Sequence, residues 1–191
     1  MYLITVLASG GGGNFQALID NQARGGYKVN LLIVDRGCGS VQRAVENKIT
    51  YKLLDKSFYK DDYFTVINQE IPPDTDLIVL AGFMPIIPDW MCKEWHMKII
   101  NTHPSLLPKY GGKGMYGVKV QEAVMKNNEE YAGCTVHYVN EYIDGGDTIL
   151  QKSIRVDYGE TPWQLGGRIF REENRLLVEA IIILKERAHN V

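Results

Sequence analysis

Tyr2-Leu-Ile-Thr-Val-Leu-Ala-Ser-Gly-Gly-Gly-Gly-Asn-Phe15 is the stretch whose reading decides the fold. Residues 2–8 form a nearly continuous apolar run, the pattern of a strand covered on both faces. Residues 9–13 are a glycine loop, and Asn14 is placed to cap a helix with apolar Phe15, Leu18 and Ile19. Strand, glycine loop and helix together make an anion cradle. Free N–H groups and the helix dipole favour negative charge, and glycine lets the backbone approach closely. The glycines are contiguous and the lysine of a P-loop is missing, so the dinucleotide and triphosphate fingerprints are both absent. The loop reads as a seat for a single phosphate; the alternative is a plain tight turn, which would not require four glycines in a row.

The pattern repeats outward from this unit. Residues 29–34, 51–54, 76–80 and 97–100 read as strands, and 41–47, 60–70 and 88–95 as helices between them. This alternation predicts an α/β fold with a mostly parallel sheet and helices on both faces. Beyond it, residues 109–116 are glycine-rich and 117–126 read as a helix. Residues 131–139 and 148–156 read as strands flanking a turn at 142–147. Thr161-Pro-Trp-Gln164 is a helix start, with threonine as cap, proline in the first turn and glutamine three residues on. The helical pattern then runs to about residue 187, with room for a break. No composition shift marks a linker, so residues 1–191 are expected to form one domain.

Composition narrows the classes of function. A net charge of -2 argues against an extended nucleic-acid surface. Cys38, Cys92 and Cys134 form neither a CxxC pair nor a metal-like cluster, and residues 2–8 lack the basic flank of a signal peptide. A reducing, cytoplasmic setting is therefore expected. No apolar run reaches membrane-spanning length. A homodimer is admitted by the sequence and not required by it.

The chemistry-bearing stretch is Ile100-Asn-Thr-His-Pro-Ser-Leu-Leu-Pro108. It follows the apolar run 97–100, and Pro104 and Pro108 stop regular structure after it. Asn101 and His103 are two residues apart, so on an extended chain they share a side. An amide can donate to a developing oxyanion without titrating, and an imidazole can exchange a proton near neutral pH. On these residues alone, a loop with one exposed histidine is an equal reading. Asp144, in a glycine-flanked turn, reads from spacing as an aspartate holding its own backbone. Beside His103 its carboxylate would instead support an imidazolium.

Four segments settle between these readings. Leu7-Ala-Ser-Gly-Gly-Gly-Gly-Asn14, Leu80-Ala-Gly-Phe-Met84, Asn101-Thr-His-Pro-Ser-Leu-Leu-Pro108 and Asp144-Gly-Gly-Asp-Thr-Ile-Leu-Gln151 resemble the folate-dependent formyltransferases, in the order that family has them. The likeness is to the glycinamide ribonucleotide transformylase branch and covers nearly the whole chain. It implies a Rossmann-like formyltransferase fold and a transferase of purine biosynthesis and one-carbon metabolism. The implied co-substrate is 10-formyltetrahydrofolate, the acceptor glycinamide ribonucleotide, and no metal takes part. Small molecules are then the partners, with no nucleic acid and no membrane.

Residue by residue, the resemblance implies catalytic roles for Asn101, His103 and Asp144. It implies that Gly12, Gly13, Asn14, Lys60, Met84 and Glu173 bind the ribonucleotide. Met84, Pro85 and Ile87 match the segment that reads the pterin ring, and Ile99, Val139 and Ile143 would line its slot. Residues 1–100 would form the phosphate-binding half and 101–191 the catalytic and folate-binding half. By themselves Lys60 is equally a solvated lysine and Glu173 an exposed helix glutamate paired with an arginine. Ile99, Val139 and Ile143 would suit a core as well. His137 resembles a histidine near the family's site and is equally a satisfied core histidine.

The chain departs from the family pattern in places. Gly13 stands where a serine is usual, Pro85 where an arginine is common, and residues 111–121 contain no histidine. Rival readings are a formyltetrahydrofolate hydrolase, a methionyl-tRNA formyltransferase, a sugar-amine formyltransferase, or a non-catalytic nucleotide-binding module. The hydrolase usually carries a domain before the first strand, and the tRNA enzyme a further domain and a basic surface. A first strand at Tyr2, an end at Val191 and a net negative charge favour the ribonucleotide branch.

Overall fold

The structure, a computed structural model, describes residues 1–189. The last two residues of the expected 101–191 half lie outside the described residues. In chain order the elements are β1 (Tyr2–Ala8), α1 (Gly13–Asp20), α2 (Gln22–Gly25), β2 (Tyr27–Val34), α3 (Gly39–Glu46) and β3 (Tyr51–Leu53). There follow α4 (Lys56–Tyr59), α5 (Tyr63–Glu70), β4 (Leu77–Leu80), α6 (Asp89–Glu94) and β5 (Ile99–His103). The chain ends with α7 (Val118–Lys126), β6 (Tyr131–Tyr138), β7 (Thr148–Arg155) and α8 (Pro162–His189).

The strands make one sheet in the order β3-β2-β1-β4-β5-β6-β7. β1 to β5 run parallel, and β6 and β7 add antiparallel to the β5 side. The inner parallel strands are largely apolar on both faces because helices cover both, while β3 at the edge is exposed. Ile4, Val6 and Ala8 face one core with Phe15 and Leu18 of α1 and Leu177 and Ile181 of α8. Leu7, Ile33, Ile78 and Leu80 face a second core with Tyr63 and Ile67 of α5 and Met91 of α6. Each fully buried Leu, Ile or Phe contributes roughly 1.5–3 kcal/mol of transfer free energy. β1 has β2 on one side and β4 on the other, so the strand order reverses at its carboxyl end. An open α/β sheet forms its crevice at such a point. The glycine loop after β1 and the end of β4 are tied together there: Ser9 N donates to Gly82 O at 3.2 Å and Met84 N to Ser9 Oγ at 2.9 Å.

Some expectations from the sequence need correction. The strand expected to end at Ile100 begins at Ile99 and continues through His103. Pairing of Asn101 with His137 and of His103 with Thr135 extends the ladder until Pro104, which has no N–H, stops it. Asn14 does not cap α1; Gly12 does, in the left-handed conformation at φ 75, and Asn14 is buried inside the first turn. A side chain at Gly12 would run into Ser40 and Arg43 of α3, which explains why glycine sits there. The helix expected over 60–70 is shorter. Asp55 caps α4 through Ser57 N at 2.7 Å, a 3₁₀ turn follows at Lys60–Asp62, and α5 starts at Tyr63. α8 runs without a break through Gly166 and Gly167, because it packs along α1, α7 and β6. Its start is the expected reciprocal cap: Gln164 N donates to Thr161 Oγ1 at 3.3 Å and Thr161 N to Gln164 Oε1 at 2.8 Å. Among the described residues, no helix is long and apolar enough to cross a membrane.

Candidate active site

A cavity of about 480 Å³ opens at the carboxyl edge of the sheet. Asn101 and His103 lie on one face of β5 and both line it, continuing the row that begins deeper in the core with Ile99. His103 is buried, with Nδ1 3.5 Å from Asp144 Oδ2 and Nε2 2.9 Å from the carbonyl oxygen of Tyr110. A carbonyl can only accept, so Nε2 carries a proton. With a second proton on Nδ1 the ring would also face the Asp144 carboxylate as an ion pair. Asp144 sits in the 138–148 turn at φ 55, with its Oδ2 accepting the backbone N–H of Gly112 at 2.9 Å. The glycine-rich segment after β5 therefore touches both members of the pair, one through a carbonyl and the other through an amide.

His137 lies opposite Asn101 in the β5–β6 register, 2 % exposed. Its Nδ1 donates to the Tyr138 carbonyl at 2.8 Å, which leaves Nε2 as an acceptor facing Asn101 Nδ2 at 3.3 Å. Burial holds this imidazole below its usual proton affinity, while the Tyr138 bond and the Asp144 charge oppose that effect. Asp144 Oδ1 is 3.7 Å from the same nitrogen. Asn101, His103, His137 and Asp144 thus form one cluster at the cavity floor.

On the other face of β5, Thr102 Oγ1 donates to Glu173 Oε1 at 3.0 Å. Glu173 comes from α8, is buried and lines the cavity. It is not the exposed, arginine-paired glutamate that its surroundings in the sequence allow. Burial pushes its carboxyl up to about 7, opposed by the Thr102 bond. Asn14 also reaches the cavity, and its buried Oδ1 has no partner in the protein, which suits a ligand that brings a donor. Met84, Pro85, Ile87, Val139 and Ile143 make an apolar side to the same space. Ile99 is 1 % exposed and belongs to the core behind it. Gly12 and Gly13 border α1 outside the cavity lining, and Lys60 is exposed in the 3₁₀ turn after α4, apart from that lining.

Several contributors were not named from the sequence. Arg43 of α3 donates from Nε to the Gly11 carbonyl at 2.8 Å, placing a cation against the glycine loop. Ser40 Oγ donates to the Gly10 carbonyl at 2.9 Å. Neither could be found by spacing, since packing brings α3 to the loop from about thirty residues away. Thr102 could have been found: it alternates with Asn101 and His103 and so must face the other side. Among the described residues, no group of three or more acidic, histidine or cysteine side chains is arranged to hold a metal.

Known proteins resemble this chain over nearly its whole length. The formyl transferase family model matches residues 3–181. The chain is 33 % identical to the chloroplastic phosphoribosylglycinamide formyltransferase of Arabidopsis thaliana, over 96 % of this chain and 66 % of that protein. It is 31 % identical to the trifunctional purine biosynthetic protein adenosine-3 of Bos taurus, over 97 % of this chain and 18 % of that protein. The chain thus spans two thirds or less of the length of these curated relatives. Among solved structures, glycinamide ribonucleotide transformylase 1 from Symbiobacterium toebii superposes with a TM-score of 0.89 at 33 % identity, covering 97 % of this chain and 88 % of that one. A family match that runs over residues 3–181, nearly every element of the fold, means that this chain belongs to the formyl transferase family.

Proposed function

We propose that this chain transfers a formyl group from 10-formyltetrahydrofolate to the amine of glycinamide ribonucleotide, a step of purine biosynthesis. The observation that carries the reading is the meeting of Asn101, His103 and Asp144 at the floor of a cavity with one apolar side and one side beside an anion-favouring loop. The apolar side, formed by Met84, Pro85, Ile87, Val139 and Ile143, suits a pterin ring. Gly12, Gly13 and Asn14 at the start of α1 suit the phosphate, with Arg43 beside them in place of Lys60. Glu173, which lines the cavity together with Asn14, suits the ribose hydroxyls. Residues 1–100 then supply the phosphate seat and the later residues the catalytic cluster, within one domain built on a single sheet.

Transfer requires an amine held against the formyl carbon, stabilisation of the tetrahedral oxyanion, and delivery of a proton to the leaving nitrogen. The free N–H of the Asn101 amide donates to the oxyanion. His103 Nε2–H turns from the Tyr110 carbonyl to the same oxygen, because a charged acceptor outcompetes a neutral one. Asp144 holds the imidazolium through Nδ1 and passes the amine's proton on through water.

The test is tetrahydrofolate formation from a 10-formyl folate donor, followed by absorbance with and without glycinamide ribonucleotide. Turnover that requires the ribonucleotide is expected. Turnover without it would instead assign a hydrolase.

A further inference from the structure

A side chain at Gly13 has room only if the Phe170 ring moves. A Cβ built there collides with the tip of the Phe170 ring from α8, although position 13 closes the glycine loop and opens α1. Phe170 itself belongs to neither core cluster; it lines the cavity and is 39 % exposed. It stands three residues before Glu173, so the two project from the same side of α8.

These placements fix what lies between the two anchor points of the acceptor. One end of the ring rests over Gly13 at the start of α1, and Glu173 is one helical turn farther along. A phosphopentose spanning the two must cross the Phe170 ring. We propose that Phe170 is a specificity-determining residue of the acceptor site: its ring is the wall on which the C–H face of the pentose packs. Gly13 is the cleared space that lets the ring lie there. The proposal rests on the ribonucleotide reading above and deepens it. It also explains why a hydroxyl-bearing residue is missing from position 13: the phosphate seat gives up one side-chain donor, and the sugar gains an apolar surface.

The pair makes a reciprocal prediction. In Gly13→Ser the new side chain must push the ring tip into the cavity, because Phe170 is the neighbour free to move. The acceptor then meets an obstruction where the wall had been. In Phe170→Ala the wall is gone, but the space over position 13 is open.

Initial rates are measured at saturating folate donor with glycinamide ribonucleotide varied, for the wild type, Phe170→Ala, Phe170→Leu, Gly13→Ser and the Gly13→Ser/Phe170→Ala double variant. Phe170→Ala is expected to raise the ribonucleotide KM roughly tenfold, well in excess of any change in kcat or in the folate KM. Phe170→Leu keeps apolar bulk without a ring and falls between. Gly13→Ser alone raises the ribonucleotide KM, and the double variant is no worse than Phe170→Ala. Thermal melts of the same variants separate a packing defect, which would lower kcat and both KM values together. An unchanged ribonucleotide KM in Phe170→Ala, or effects of the two substitutions that simply add, overturns the proposal while leaving the transferase reading intact. A wild type that does not use the ribonucleotide overturns both.

Discussion

Asn101 and His137 face each other across β5 and β6, and the amide nitrogen of one lies 3.3 Å from the unprotonated Nε2 of the other. The Tyr138 carbonyl occupies His137 Nδ1 and burial disfavours a second proton, so the ring can only accept from Asn101. This fixes which end of the amide is N–H and aims its second hydrogen away from His137. Replacing His137 by Phe keeps the bulk and removes the acceptor. The expected result is a loss of roughly ten- to a hundredfold in kcat with modest change in either KM, less than the roughly 10²–10³ of removing an oxyanion donor because the amide is misaligned and not lost. His137→Gln, which retains an acceptor, should recover part of it. Equal kcat in Phe and wild type would show that Asn101 needs no such alignment.

Asp144→Asn tests the other side of the cluster. The variant keeps the shape and an acceptor for the Gly112 amide but removes the charge facing His103 Nδ1. Steady-state assays should find kcat down by roughly 10²–10⁴, the range of a positioned proton-transfer group. A variant with full activity would remove Asp144 from the mechanism.

What could be read in the sequence, and what could not, divides by range. The sheet was legible because Ile4 to Ala8, broken only by Thr5, and Ile78 to Leu80 are apolar, and only burial on both faces calls for that. Asn101 and His103 were legible because strand alternation is local. Glu173 was recognisable as a candidate only by resemblance; its burial against Thr102 depends on α8 crossing the end of β5, which no local pattern encodes. The helix cap was misassigned to Asn14 for the same reason. Asparagine is a favoured cap, but α3 packs so close to the loop that a glycine had to take the position. Lys60 was a candidate through the resemblance alone, while a cation that lies beside the loop is Arg43.

Gly146→Ala probes how the turn carrying Asp144 is held. A Cβ at Gly146 would collide with the carbonyl oxygen of Tyr138, a backbone atom at the end of β6 that cannot step aside. The turn has to lift, and Asp144 lifts with it. Destabilisation of about 1–3 kcal/mol is expected, together with a kcat loss greater than that of Gly145→Ala. At Gly145 the nearest atom, Tyr142 Cβ at 2.6 Å, moves only with its own backbone, but that backbone belongs to the exposed turn and not to the sheet, so the clash is milder. Denaturant melts and initial rates of the two variants make the comparison; similar losses in both would mean that the turn adapts without moving Asp144.

Glu173 should leave a mark on stability as pH changes. Burial raises its carboxyl from an ordinary value of 4.5 to about 7 in the folded protein. Between those values the native state keeps a proton that the unfolded chain has lost. Stability therefore falls as pH rises through this window, levels off above it, and is unaffected by Glu173 below it. The penalty at pH 8 is on the order of 3 kcal/mol. Glu173→Gln stays neutral at every pH and still accepts from Thr102 Oγ1. It should match the wild type near pH 4 and melt higher at pH 8 by roughly 5 °C or more. Thermal melts at the two pH values decide the matter. If the glutamine variant gains nothing at pH 8, the buried carboxylate is solvated by some other route and carries no such penalty.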